Sequence, residues 1–179
     1  ELKQADMKGL ILDLRYNPGG LLDTAVKVAD LFLKDGVIVS TNGRNSPERV
    51  WKAERDGTLE DFPMVVMINE GSASASEILA GALKYNNRAI VLGTRSVGKG
   101  SVQQIIPLDG GAGGIKLTTS LYYMPNGQNI HRKEGAERWG VDPSDGFYVA
   151  MTAEQRIKMN EIRRERTVAT DELEGPEKV

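Results

Sequence analysis

Cysteine is absent from the 179 residues, and histidine occurs once, at His131. The first absence excludes thiol nucleophiles, disulfides and cysteine-bound metals. The second leaves little material for a histidine-based metal site. A dominant charge is lacking as well. The 23 Lys and Arg nearly balance the 25 Asp and Glu, and the net charge of -2 gives no electrostatic argument for nucleic acid or an anionic membrane. No apolar run approaches the ~18–20 residues of a membrane span. Internal repeats, low-complexity segments and a signal peptide are not seen either. The chain opens on Glu1 and passes almost at once into an apolar strand, which reads as a fragment or processed piece of a longer protein. With 40% hydrophobic and 27% charged residues, what remains is the composition of an ordinary globular domain with one core and a short appendage.

What is there concentrates around Asn69 to Glu77. An apolar run, Met64 to Ile68, leads into serines at alternate positions, Ser72, Ser74 and Ser76, and an alanine-rich apolar segment, Ile78 to Leu83, follows. The pattern predicts a buried strand, a tight turn and a helix. A serine at such a turn lies beside unpaired backbone N–H groups at the positive end of the helix, where an oxyanion can be held. Lys99, between Gly98 and Gly100, supplies the second half of a serine–lysine pair. An unperturbed lysine amine is protonated at neutral pH, and burial is the usual way to make it a base. The catalytic reading therefore expects Lys99 to be buried; the alternative is a surface lysine in a glycine loop.

Other elements follow from periodicity. Met7 to Leu14 reads as a strand broken by Asn17-Pro18-Gly19-Gly20, and Leu21 to about Leu33 as an amphipathic helix. Val37 to Ser40, Arg49 to Ala53, Ala89 to Gly93, Val102 to Leu108 and Ile115 to Met124 read as strands. Pro125-Asn126-Gly127 is a tight turn. Thr152 to Gln155 fits a capping box opening a charged helix to about Arg166, followed by a loose polar tail. Strand–helix–strand occurs twice, which predicts an α/β layered core in residues 1–150 and a helix with its tail in 151–179.

Several residues admit two readings. The Gly19-Gly20 turn can present N–H groups to a carbonyl oxygen, together with the N–H of Ala75, or it can be a plain strand-to-helix turn. Gln103 can orient Lys99 through its amide, or be a polar strand-edge residue. Ser72 and Ser76 compete with Ser74 on pattern alone. His131, among Arg132, Lys133 and Glu134, reads as a solvated loop residue rather than a general base.

Assembled, these pieces resemble the carboxyl-terminal processing peptidases, also called tail-specific proteases. The matching motifs are Gly9 to Gly20, Ile68 to Glu77, Gly98-Lys99-Gly100-Ser101-Val102-Gln103, and the hairpin from Lys116 to Gly127. Gly140-Val141-Asp142-Pro143 resembles the family's closing segment with its Pro and Asp exchanged. The resemblance covers roughly residues 7 to 146. It implies a ClpP/crotonase-type α/β fold of β-β-α units with a β-hairpin and a C-terminal helix. It also implies a serine endopeptidase that cleaves proteins near their C termini through an acyl-enzyme, with no metal or cofactor. Carried onto this sequence, the roles fall on Ser74 as nucleophile, Lys99 as base and Gln103 as its orienting amide. The backbone of Gly19, Gly20 and Ala75 forms the oxyanion hole, with Gly20 preferred. Protein or peptide substrates, homo-oligomers, and the bacterial cell envelope or the plastid lumen are further implications. Tyr85 stands where some members carry an aspartate. The family's PDZ domain and N-terminal helical region lie outside this sequence, so weak or absent regulated proteolysis is expected of the piece. A non-catalytic binding module on the same fold is the competing class, and an acyl-CoA enzyme of the crotonase type is a more distant one.

Overall fold

A computed structural model describes residues 7–59, 62–111 and 113–167. Three strands, β1 (Leu10–Asp13), β4 (Met64–Ile68) and β5 (Ile90–Gly93), form a parallel sheet in the order β1-β4-β5. A second, antiparallel sheet runs β3-β2-β7-β6, from β2 (Val37–Gly43), β3 (Ser46–Lys52), β6 (Ser101–Pro107) and β7 (Gly114–Tyr123). Helix α1 (Leu22–Asp30) follows β1, α2 (Ala75–Tyr85) joins β4 to β5, and α3 (Ala153–Thr167) comes last. The expected elements are present and the class is mixed α/β, but two sheets replace the one that strand–helix–strand repetition suggests.

The arrangement follows from which faces are apolar. In β4, Met64, Val66 and Ile68 are buried while Val65 and Met67 are partly covered, the alternation of a strand. Helix α2 is buried on every side from Ala75 to Leu83 and packs against α1, β2 and β5. A helix apolar all round is a core element, and burial of Ile78 and Leu83 contributes about 1.5–3 kcal/mol each. Gly81 is small for a reason: a Cβ there would meet the sulfur of Met124. Ala25, Ala29, Ile38, Val39, Tyr122, Ile130 and Val141 complete the cluster.

After β7, the chain returns through Ile130 and Val141 to β5. Ser144 N donates to Val91 O at 2.7 Å, Val91 N to Ser144 Oγ at 3.0 Å, and Gly93 N to Phe147 O at 3.1 Å. Lys84 Nζ holds the same segment through Asp142 O (2.8 Å) and Pro143 O (3.1 Å). The chain divides into compact units Glu1–Tyr148 and Val149–Val179. In the second unit, Thr152 N donates to Gln155 Oε1 and Gln155 N to Thr152 Oγ1, the capping box read from sequence. The expected polar tail lies outside the described residues from 168 onward.

Candidate active site

The turn between β4 and α2 is built by side chains that bond backward to β1. Ser72 Oγ donates to Leu14 O (2.7 Å) and accepts from Asn69 N (2.9 Å). Asn69 Oδ1 accepts from Tyr16 N and Gly71 N. Ser72 is fully buried, so it is a brace between strand ends and not an exposed nucleophile. Ser76 is buried inside α2. Ser74 alone of the three is partly accessible, and it takes φ 57° and ψ −118° at the N-cap of α2. A non-glycine residue in that region costs on the order of 1–3 kcal/mol, and such strain collects at sites that must present a side chain sharply.

The Gly19 turn is pressed against this elbow. With φ 93°, a Cβ on Gly19 would sit 2.6 Å from Ala73 O and 2.7 Å from Ala75 N. Ala73 N donates to Asn17 O, which fixes the approach. The expected oxyanion donors divide here. Gly19 N–H already donates to Asn17 Oδ1 at 2.9 Å, so it is not an open donor. The N–H groups of Gly20 and Ala75 have no hydrogen-bond partner among the described residues.

Glu77, one turn into α2, is completely buried and organises the site. Its Oε2 accepts from Ser74 N (2.7 Å) and Lys99 N (2.8 Å), and its Oε1 from Ser96 Oγ and Gly98 N (2.6 Å each). Ser96 Oγ in turn accepts from Val141 N at 2.7 Å. Four donors and the helix N-terminus compensate a buried carboxylate that would otherwise be prohibitive. One side chain thus bonds the backbone of both Ser74 and Lys99. Sequence reasoning missed it, although Ser74-x-x-Glu77 is a capping-box pattern that could have drawn attention to it.

The Lys99 loop is backed by Ile130 to Arg132 and by Trp139. Arg132 N donates to Gly98 O at 2.8 Å, and a Cβ on Gly100 would lie 2.5 Å from His131 N. The glycines therefore permit close backbone packing, as expected of them. The expected burial of Lys99 is not found: its side chain is exposed and forms no hydrogen bond or ion pair among the described residues, with Ser74 or otherwise. The glycine-loop backbone is enclosed while the side chain between the glycines projects outward. Gln103 is also exposed and makes no bond to Lys99. It follows an irregularity where Val102 pairs Ser120 but Gln103 pairs Thr118, which re-aims side chains along β6. His131 differs from the solvated residue expected: it is half-buried, and its Nδ1 is enclosed with no hydrogen-bond partner among the described residues.

No group of three or more His, Asp or Glu able to hold a metal occurs among the described residues. No described helix is long and apolar enough to cross a membrane. A strained serine at a strand-to-helix elbow, with two open backbone donors beside it, is an arrangement suited to acyl transfer.

The model of peptidase family S41 matches residues 1–144, and the chain belongs to that family. It is 56% identical over 125 residues to a carboxy-terminal-processing protease of Bartonella bacilliformis, covering 69% of this chain and 29% of that one. It is 39% identical over 165 residues to carboxyl-terminal-processing peptidase 3, chloroplastic, of Arabidopsis thaliana, covering 89% of this chain and 30% of that one. Among solved structures, the photosystem II D1 C-terminal processing protease superposes with TM-score 0.72 at 34% identity, covering 83% of this chain and 36% of the other. Mature CPAF shares the fold at TM-score 0.64 and 18% identity, covering 88% of this chain and 42% of its own. The chain spans about three-tenths of the length of the curated relatives it matches.

Proposed function

We propose that this chain carries the catalytic centre of a serine endopeptidase that acts on proteins near their C termini, on a core of ClpP/crotonase type. Lys99 takes the proton of Ser74 Oγ, the oxygen attacks the scissile carbonyl, and the Gly20 and Ala75 N–H groups stabilise the oxyanion. The protonated amine then gives its proton to the leaving nitrogen, and water hydrolyses the serine ester with Lys99 again as base. Gln103, unbonded to Lys99 in the free chain, orients the amine once substrate is bound. A bound peptide lying over the exposed lysine removes the water around it and supplies the burial that the free chain lacks. The observation that carries this reading is the Ser74 elbow with its open donors, bonded through Glu77 to the Lys99 backbone. Relatives named from bacteria and a chloroplast favour an envelope or lumenal location, and homo-oligomers fit the same reading.

The absence of any bond between Ser74 and Lys99 favours a second reading, a non-catalytic protein-binding module on the same fold. Trapping separates the two. A peptide ester incubated with the chain, quenched in acid and mapped by mass spectrometry acylates Ser74 under the first reading, and far more slowly in Lys99→Ala. A chain that stays unmodified, or is acylated equally in Ser74→Ala, supports the second.

A further inference from the structure

Directly behind the lysine loop, two guanidinium groups share one indole. The Cζ atoms of Arg95 and Arg132 lie 4.5 Å and 4.7 Å from the Trp139 ring centroid. Trp139 is itself part of the loop's support, since a Cβ on Gly98 would fall 2.7 Å from its Cδ1 and 2.9 Å from Arg132 Cβ. The two cations differ in one respect. Arg95 is satisfied: its Nε and Nη2 meet the two carboxylate oxygens of Asp142, and its Nη1 donates to Glu137 O. Arg132 is exposed, and its guanidinium has no ion pair and no hydrogen bond among the described residues.

We propose that Arg132 is a carboxylate-binding subsite beside Lys99. Arg132 N–H bonds Gly98 O, and Gly98 N–H bonds Glu77, which also holds Ser74 N. The cation is therefore tied to the same backbone unit as the elbow. Stacking on Trp139 restricts a side chain that otherwise loses considerable rotamer freedom on binding, and it leaves the planar fork of donors in place for a bidentate anion. Asp142 is already engaged by Arg95. The ligand is a carboxylate of the bound peptide, either a C-terminal α-carboxylate or an Asp or Glu side chain. This deepens the peptidase reading and rests on peptides binding at the Ser74–Lys99 face.

Binding is measured by fluorescence anisotropy on the full chain carrying Ser74→Ala, so that no cleavage is required. Three labelled peptides share one sequence: a free C-terminus with an internal Glu, the same with its C-terminus amidated, and the free C-terminus with that Glu replaced by Gln. Whichever loss of carboxylate weakens binding names the source. Arg132→Gln should weaken the carboxylate peptide about five- to tenfold and leave its neutral counterpart unchanged, while Arg132→Lys restores part of the loss. The preference should shrink at high salt. Equal binding of carboxylate and neutral peptides, no binding by any of them, or an Arg132→Gln loss that is the same for all overturns the proposal. Cleavage by the chain with Ser74 intact reports separately on the peptidase reading, so either can fail alone.

Discussion

Replacing Glu77 by Gln changes one atom of the carboxylate and leaves its volume. The consequence follows from the donors around it. Oε2 faces two backbone N–H groups, those of Ser74 and Lys99; Oε1 faces the Gly98 N–H and the Ser96 hydroxyl. An amide NH2 placed at Oε2 leaves two N–H groups facing a donor. Placed at Oε1, it leaves Gly98 N–H unpaired and forces Ser96 to turn, although Ser96 Oγ already accepts from Val141 N. The second orientation is the cheaper one. It strands one buried N–H, at about 1–3 kcal/mol, and removes charge assistance from the remaining bonds. The expected loss is about 2–4 kcal/mol, read as the shift in urea unfolding free energy followed by Trp51 and Trp139 fluorescence. Activity should fall by a larger factor than instability alone explains, because the carboxylate fixes the backbone of both Ser74 and Lys99. A Glu77→Gln chain within about 0.5 kcal/mol of the parent would refute the argument that these four bonds are made to a charged acceptor.

Other changes test neighbouring parts of the account. Ser72→Ala strands Asn69 N in a buried site, while Leu14 O keeps the bond from Asn17 N, and should cost about 1–3 kcal/mol in the same unfolding assay, with the loss of a nucleophile playing no part. Gly98→Ala combines φ 85° with a Cβ driven against Trp139 and Arg132, so it should lose about 2–4 kcal/mol and weaken peptide turnover together. Burial raises the Tyr122 phenol above its ordinary value of 10.0. The neutral form is then favoured in the fold, so this contribution is complete below pH 10 and is lost as pH rises through the raised value. Tyr122→Phe should accordingly flatten the fall in unfolding free energy above pH 10; an unchanged slope would contradict it.

The legible parts of the molecule were those whose signals are local. Met64 to Ile68 and the apolar stretch after Ser74 announced β4 and α2 because both are strongly patterned and bounded by turn residues. The pairing of β2 with β7 joins Ser40 to Tyr123 across nearly half of the chain, and no periodicity within either strand encodes it. The second sheet was hidden for that reason. Within the site, Ser74 could be singled out at its turn, but only the fold removes Ser72 as a rival by spending its hydroxyl on Leu14. Gly19 and Gly20 look equivalent in sequence; the Asn17 side chain distinguishes them by occupying one N–H. Whether Lys99 is buried or exposed stayed open in the sequence, because flanking glycines report how closely the backbone packs, not where the side chain between them points. His131 was misjudged, since polar neighbours in sequence do not prevent Gly100 from packing against its backbone.

The central claim is that Ser74 and Lys99 together hydrolyse peptide bonds. Its most direct test is the rate at which this chain cleaves an unstructured protein, beside Ser74→Ala and Lys99→Ala variants shown by circular dichroism to be folded. The account predicts loss of about 10³-fold or more in each variant and no further loss when the two are combined, as for groups that act as a unit. Cleavage that survives either substitution, or a parent chain no faster than its Ser74→Ala variant, would contradict it.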